Sequence, residues 1–235
     1  MSHPVPPNET ERLSALRRYR VLDSEREHCF DDLSRLAAYI CGTPISAVTL
    51  VDADRQWFKA SVGLGITGTA RDQAFSSHTI MANEVMVVED ATKDARFVAN
   101  ELVTGSPHVR FYAGAPLTTR DSHNIGALCV IDSVPRQLSE AQKDALVTLS
   151  RVVMTELDHR ALHEALAKTL GEVKALRDVL PTCSYCSNIR NEHGEWSSLQ
   201  DYILEETTTR FSHGVCPACA QVHFPKFNLY KDGKK

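Results

Sequence analysis

The sequence predicts an α+β fold, in which a mostly antiparallel sheet carries helices on both faces and is followed by a long helix and a small cysteine-rich module. Three observations support this prediction. The predicted elements follow the order helix, helix, hairpin, helix, strand, long loop, hairpin, helix, which does not fit parallel βαβ units. Residues 139–180 contain no proline and no strand pattern. Four of the seven cysteines lie within residues 181–235.

Composition and charge exclude several classes of protein. The 235 residues include 26 basic and 30 acidic side chains and 43% hydrophobic residues, which is typical of an ordinary globular protein. The formal charge of −4 argues against a general binder of nucleic acid or anionic membranes. No run approaches the ~18 apolar residues of a membrane span, and the N-terminus lacks the pattern of a secretory signal. We therefore expect a cytoplasmic protein with reduced cysteines and no nucleic-acid or membrane partner.

Two helices precede the first strand. Residues 1–23 are predicted to hold a leader helix that Asn8 caps. A second helix runs from about Glu25 to Cys41, because apolar residues recur there at three- and four-residue spacing. Gly42 stands where a left-handed glycine ends many helices, so we expect the second helix to end at this position.

The sheet is predicted from two hairpins. Residues 45–51 are almost continuously apolar, as in a strand that is covered on both faces. Residues 56–62 alternate, which predicts Phe58 and Ala60 on one face and Lys59 on a half-solvated opposite face. The remaining predicted elements are a helix at 72–83, a strand at 85–89, a long connection at 90–109, and a second hairpin with strands at 110–117 and 125–132.

The helix predicted at 139–180 changes its apolar face along its length. Its first part carries a stripe that suits packing on the sheet, formed by Leu146, Leu149, Val153 and Leu157. Strict three- and four-residue steps then predict a coiled-coil seam, formed by His159, Leu162, Leu166, Thr169, Val173, Leu176 and Leu180. We expect a homodimer through residues 146–180. The alternative is a single amphipathic helix that docks on its own domain.

Several segments, in consistent order, resemble the bacterial GAF sensor domains. They are Asn8-Glu-Thr-Glu, Phe30-Asp-Asp-Leu, Leu50-Val-Asp-Ala-Asp-Arg-Gln-Trp-Phe-Lys59, Asp94-Ala-Arg-Phe97, Val109-Arg-Phe-Tyr-Ala-Gly-Ala-Pro-Leu117 and Gly126-Ala-Leu-Cys-Val-Ile-Asp132. The resemblance implies a six-stranded antiparallel sheet, a pocket roofed by the 90–109 connection, and helices that dimerise. The chain then divides into a leader helix (1–23), a GAF domain (24–157), a coiled-coil linker helix (158–181) and a four-cysteine metal-binding module (182–235).

The resemblance does not fix a ligand for the pocket. The residues of a cyclic-nucleotide site are not found, and Ser76 stands where related chromophore-binding sensors carry a cysteine. GAF-type methionine sulfoxide reductases need a reactive cysteine, but Cys41 and Cys129 lack an exposed, electropositive setting in the sequence. A non-covalent pocket remains, whose candidate lining residues are Trp57, Phe75, His78, Phe97, Arg110, Phe111 and Tyr112. The alternative is an ordinary core with a structural histidine.

Residues 181–235, called the tail below, carry the most specific chemical pattern of the chain. Cys183, Cys186, Cys216 and Cys219 form two Cys-x-x-Cys pairs, and four thiolates in close pairs suit one structural, tetrahedral Zn²⁺ per chain. The predicted knuckle, hairpin and final helix resemble treble-clef zinc modules. A tail this short cannot build a large core, so we expect metal to hold it together. Disulfides, free thiols and iron are the alternatives, and His193 and His213 are expected to stay outside the ligand set.

Together these features predict a non-enzymatic, cytoplasmic signalling protein. The GAF domain would bind an unknown small ligand or a partner, the coiled coil would dimerise, and the zinc module would dock an unknown signalling protein. One alternative is a thiol redox switch, in which the four tail cysteines release the metal and form disulfides. Another is a GAF-type methionine sulfoxide reductase.

Overall fold

The computed structural model describes residues 3–177, 181–191, 193–206, 208, 210, 212 and 214–223. The chain divides into two compact units, Met1–Ala165 and Leu166–Lys235. Within the described residues, no helix is both long enough and apolar enough to cross a membrane.

The first unit is built on a six-stranded antiparallel sheet, which confirms the predicted antiparallel sheet of the fold class. Its strands are β1 (Ile45–Val51), β2 (Arg55–Val62), β3 (Gly68–Ala70), β4 (Met86–Val88), β5 (Phe111–Thr118) and β6 (Asn124–Asp132). They lie in the order β3-β2-β1-β6-β5-β4. Every residue of β1 is buried, since this central strand is covered on both faces.

Five helices belong to the first unit or begin in it: α1 (Glu9–Arg18), α2 (His28–Cys41), α3 (Ser76–Thr79), α4 (Glu101–Thr104) and α5 (Glu140–Arg177). Helices α1 and α2 and the first part of α5 pack on one face of the sheet, where Leu16, Phe30 and Leu146 join its core. Gly42 ends α2 with a left-handed φ of 64°, as predicted. The side chain of Asn8 does not cap α1 but lies 3.1 Å from His123 Nδ1.

Short elements cover the opposite face of the sheet. The helix predicted at 72–83 forms as a 3₁₀ turn at Arg71–Gln73 followed by α3, and α4 lies within the predicted 90–109 connection. Strand β3 was not predicted, because three residues are too few to show an alternating pattern. These elements enclose a second core, which includes Phe75, Phe97 and Tyr112.

Strand β2 departs from simple alternation at Lys59. Val48 pairs with Ala60 and Thr49 pairs with Phe58, so Lys59 is the extra residue of a β-bulge. Lys59 lies opposite Phe58 as predicted, but the prediction is wrong for the face of Ala60 and for the half-solvated setting of Lys59. Phe58 lines a cavity on the α3 side, whereas Ala60 packs in the core on the α2 side and the Lys59 side chain is 0% exposed.

Helix α5 has 38 residues, and residues 178–180 of the predicted helix lie outside the described residues. Its predicted stripe is buried, from Leu146 to Leu157. Beyond the stripe, Leu162 is 67% exposed and Leu166 is 52% exposed. The side chains of Val173 and Leu176, and all of Leu180, lie outside the described part. The coiled coil and the homodimer stay predictions.

The second unit begins within α5 and then forms a short hairpin. Thr182 bridges to Ile189, and β7 (Ile189–Arg190) pairs with β8 (Trp196–Ser197). Two helices follow, α6 (Leu199–Glu206) and α7 (Pro217–His223). This is the local order that the sequence predicts, but an assembled treble clef stays a prediction. His213 lies outside the described residues.

Candidate functional site

Three aromatic rings stack on the α3 face of the sheet. The ring centroids of Phe75 and Phe97 are 4.0 Å apart, and those of Phe75 and Tyr112 are 5.1 Å apart. The edge of His78 meets Phe97 at 4.8 Å between centroids. The structure therefore brings together these four of the seven predicted lining residues.

A chain of buried hydroxyl groups lies beneath the stack. The Tyr112 hydroxyl is 2.8 Å from Thr79 Oγ1 and 3.2 Å from Ser76 Oγ, which in turn lies 3.0 Å from Thr49 Oγ1. Burial raises the pKa of Tyr112 far above its ordinary value, so the phenol stays protonated. These hydroxyls satisfy one another and leave little hydrogen-bonding capacity for a ligand.

A small cavity of about 40 Å³ lies beside the stack. Its walls are mostly apolar and include Phe58, Leu64, Ile66, Phe75, Leu102 and Tyr112. Gln56 and Thr69 also belong to this lining, and neither Gln56 Oε1 nor Thr69 Oγ1 has a hydrogen-bond partner among the described residues. Gln56 is only 7% exposed. A buried acceptor without a partner costs about 1–3 kcal/mol, so this end of the cavity suits a molecule that donates a hydrogen bond.

Three of the predicted lining residues lie elsewhere. Phe111 is fully buried in the core on the α2 face, because neighbouring residues of β5 point to opposite faces. Trp57 packs at the border of the same core. The guanidinium of Arg110 donates to the carbonyls of Val103 (2.9 Å) and Val109 (3.1 Å), so it stabilises the 90–109 connection.

His78 also borders a polar depression of about 270 Å³, which His3, Arg96 and Asn100 help to line. Burial and the positive charge of Arg96 lower the pKa of His78, so its ring is neutral near pH 7. Arg96 itself is paired with Asp94 at 2.6 Å. Asp72 and Glu101 also line the depression, so it carries charges of both signs.

Two cysteine thiols of the first unit are buried. Burial raises the pKa of Cys129 to about 12 and that of Cys41 to about 11. The thiolate is the reactive form of cysteine, and both groups are protonated near pH 7. Neither thiol has the setting of a catalytic nucleophile.

In the tail, each Cys-x-x-Cys pair forms its own compact loop. In the first pair the Ser187 N–H donates to the Cys183 carbonyl at 2.9 Å, and in the second the Cys219 N–H donates to Cys216 Sγ at 3.4 Å. Backbone N–H groups of Cys186 and Tyr185 hold the pKa of Cys183 below its usual value.

Amide donors around sulfur suit thiolates that bind a metal, so each pair fits half of a four-cysteine site. Among the described residues, no group of three or more cysteine, histidine or acidic side chains is arranged to hold an ion. The structure thus shows two separate cysteine pairs and no complete metal centre within that part of the chain.

Sequence reasoning missed Gln56 and Thr69. Gln56 had a usable signal, because it lies two residues before Phe58 and so shares the buried face of the predicted strand. Thr69 had none, since strand β3 is too short to predict.

Comparisons with known proteins agree with the fold. The model of the GAF domain family matches residues 25–157. A cyclic di-GMP phosphodiesterase from Pseudomonas aeruginosa is 39% identical over 155 residues, which are 66% of this chain but 26% of that enzyme. The chain thus matches about a quarter of the length of this relative.

The fold resembles that of a solved structure with a TM-score above 0.5. The GAF domain of a phosphoenolpyruvate-protein phosphotransferase from Coxiella burnetii is 14% identical, with a TM-score of 0.51, and the match covers 66% of this chain and 98% of that one. The corresponding domain from Acinetobacter is 23% identical, with a TM-score of 0.45, over 68% of this chain and 98% of that one. Since the family model matches more than half of the residues, this chain belongs to the GAF domain family.

Proposed function

We propose that this chain is a non-enzymatic, cytoplasmic sensor whose first unit binds a small neutral ligand in the 40 Å³ cavity. The observation that carries the proposal is the pair of unpartnered polar atoms, Gln56 Oε1 and Thr69 Oγ1, in an otherwise apolar space. A simple packing defect would be lined by apolar groups alone. No unpaired charge lines the cavity, which favours a neutral ligand.

The volume limits the size of the ligand. A water molecule needs about 10–15 Å³ by this measure, so the cavity accepts about three non-hydrogen atoms. The Pseudomonas relative is named for acting on cyclic di-GMP, but a dinucleotide is many times larger than this space. We therefore propose that the region shared with that enzyme is regulatory and does not bind its substrate.

A pair of isomers tests the proposal. Ethanol and dimethyl ether each have three non-hydrogen atoms, but only ethanol donates a hydrogen bond. We expect ethanol to give saturable NMR shifts at the Phe75 and Tyr112 rings, with affinity no tighter than about millimolar for so small a ligand. Dimethyl ether should bind more weakly, and Gln56→Leu should remove the difference. No saturable shift, or equal binding of the two isomers, refutes the proposal.

We further propose that Cys183, Cys186, Cys216 and Cys219 hold one structural zinc ion. The donor set and the N–H···S contact of the second pair support this assignment. Bound zinc would join the two cysteine pairs and hold the second unit together. Anaerobically purified full chain should contain one zinc per chain, and a content well below one zinc or iron per chain rejects the site.

A thiol redox switch is the second candidate, because Cys186, Cys216 and Cys219 are exposed. Thiol counting before and after peroxide treatment distinguishes it from a purely structural site. The methionine sulfoxide reductase alternative loses support, since Cys129 is buried with a pKa of about 12. A Cys129→Ser variant that lost measurable turnover would restore it.

We also propose that residues 146–180 form a homodimer and that the second unit docks a signalling protein. The exposed side chains of Leu162 and Leu166 support a seam between two copies. Sedimentation equilibrium tests the dimer, and a monomer at micromolar concentration rejects it. In this arrangement the chain comprises the leader helix, the GAF domain, the linker helix and the metal module.

A further inference from the structure

Lys59 is the centre of an ion cluster on the α2 face of the sheet. Lys59 follows Phe58 in β2 and leaves the strand on this face, where the ammonium donates to Ser24 Oγ (2.9 Å), the Glu25 carbonyl (2.6 Å) and Glu27 Oε1 (2.5 Å). The side chain is 0% exposed. All three N–H donors of the ammonium are used, so Lys59 is fixed to the segment that precedes α2.

Arg160 binds the same carboxylate from helix α5. Its Nε donates to Glu27 Oε1 at 2.9 Å, and its Nη1 donates to the carbonyls of Tyr19 (3.1 Å) and Arg20 (3.2 Å). Its Nη2 is paired with Glu164 at 2.7 Å. One oxygen atom of Glu27 therefore joins strand β2 to α5. We call Glu27, Lys59 and Arg160 the clasp.

The Glu27 carboxylate stays ionised at neutral pH. Burial by itself would raise the pKa of this group, but hydrogen bonds and charge from Lys59 and Arg160 outweigh burial and hold the pKa below its usual value. The clasp is therefore a charge-assisted contact, and such contacts depend steeply on geometry.

Strand β2 also forms a wall of the cavity. Gln56 and Phe58 line the cavity from one face of the strand, and Lys59 leaves from the other. Only the thickness of one strand separates the cavity from the clasp. Because protein interiors are close-packed, a displacement of β2 on the cavity side also moves Lys59.

We infer that Glu27 transmits the state of the cavity to α5. In one arrangement Glu27 is shared by Lys59 and Arg160. In the other it is held by Lys59, and Arg160 keeps Glu164 and the two carbonyls. Control of these two arrangements by a ligand rests on the proposed sensor function. A ligand shifts the equilibrium only if its affinity for the two arrangements differs. The linkage itself is a property of the chain without ligand.

Hydrogen exchange on the full chain tests the inference without any ligand. Phe58→Leu removes part of the cavity wall. We expect it to raise amide exchange in peptides covering residues 156–166 about threefold, a coupling typical of packed networks. In a Glu27→Gln background the rise should fall below about 1.5-fold. Glu164→Gln is the matched control, because it removes a carboxylate from Arg160 but not from β2, and it should keep the full rise.

Two results overturn the inference: no response to Phe58→Leu in the parent chain, or the same response with and without Glu27. If Glu27→Gln does not fold, Arg160→Gln replaces it, with the same loss expected and the same refutation if the response persists. The ethanol titration is independent of this experiment. Coupling without ethanol binding rejects the sensor function alone, and ethanol binding without coupling rejects the clasp alone.

Discussion

Replacing Lys59 with methionine tests how strongly the clasp stabilises the first unit. Methionine has a stem of similar length, so the change removes the charge and the three donors while it keeps most of the packing. The buried ammonium donates at 2.9, 2.6 and 2.5 Å, and each charge-assisted bond contributes about 1.5–3 kcal/mol. Loss of the ammonium also removes its desolvation cost, which is several kcal/mol.

The difference between these two terms sets the expected loss of stability. Glu27 keeps Arg160 as a partner at 2.9 Å, so the substitution does not leave an isolated buried charge. We therefore expect Lys59→Met to lower the free energy of unfolding by about 3 kcal/mol, at the lower end of the range for broken buried pairs. For a unit of this size, that corresponds to a fall in Tm of about 6–12 °C.

Fluorescence of Trp57, which lies on the same strand, provides the assay. The chain has two tryptophans, and a Trp196→Phe background leaves Trp57 as the reporter of the first unit. Lys143→Met is the control, because Lys143 pairs with the exposed Glu140 at 2.8 Å and such surface pairs contribute about 0–1 kcal/mol. A Tm for Lys59→Met within 2 °C of the Lys143→Met value refutes the reasoning (about 0.5–1 kcal/mol).

Three further predictions follow from the same contacts. Hydrogen bonds from Arg12 and Arg71 outweigh burial and hold the pKa of Glu9 at about 2. The ionised Glu9 therefore stabilises the fold fully above about pH 4.5, and this stabilisation is lost as the pH falls toward 2. Urea unfolding measured between pH 4.5 and 2 should show that the free energy of unfolding depends less on pH in Glu9→Gln than in the parent. The same pH dependence in both proteins contradicts this prediction. Tyr112→Phe removes the hydroxyl that lies 2.8 Å from Thr79 Oγ1 and should lower the free energy of unfolding by about 1–3 kcal/mol, measured by urea unfolding against the parent. Cys183→Ser should lose zinc in metal analysis, whereas Cys29→Ser should keep it.

Local sequence patterns predicted much of the fold, because burial of a strand and the end of a helix depend on residues that are close in the chain. The unbroken apolar run became the central strand β1, and Gly42 ends α2 because glycine adopts a positive φ without strain. The aromatic residues around Phe75 were also assigned to one site, and four of them meet there. Phe111 was misplaced, because a run of aromatic residues along one strand says nothing about which face each occupies until the register is known.

The bulge at Lys59 could not be predicted from β2 itself. It depends on how β2 pairs with β1, between Val48 and Thr49, which is a tertiary property. A period-two pattern also assigns a lysine to solvent by default. The same limit applies to the cavity, since Gln56 becomes an unpartnered acceptor only after β3 and the roof close over it. Features that need two distant segments to meet are those that the sequence does not reveal.

The contacts of α5 explain why the clasp is the place where a signal can leave the first unit. Up to Leu157 one face of the helix is buried in the core, where dense packing permits little rotation. The next turn is held by polar contacts: Asp158 accepts from Tyr19 at 2.8 Å and from Arg120 at 2.9 Å, and Arg160 binds Glu27. Leu162 is already exposed. Because ion pairs can exchange partners at a lower cost than a core can repack, we place the change that the clasp transmits in the turn from 158 to 164.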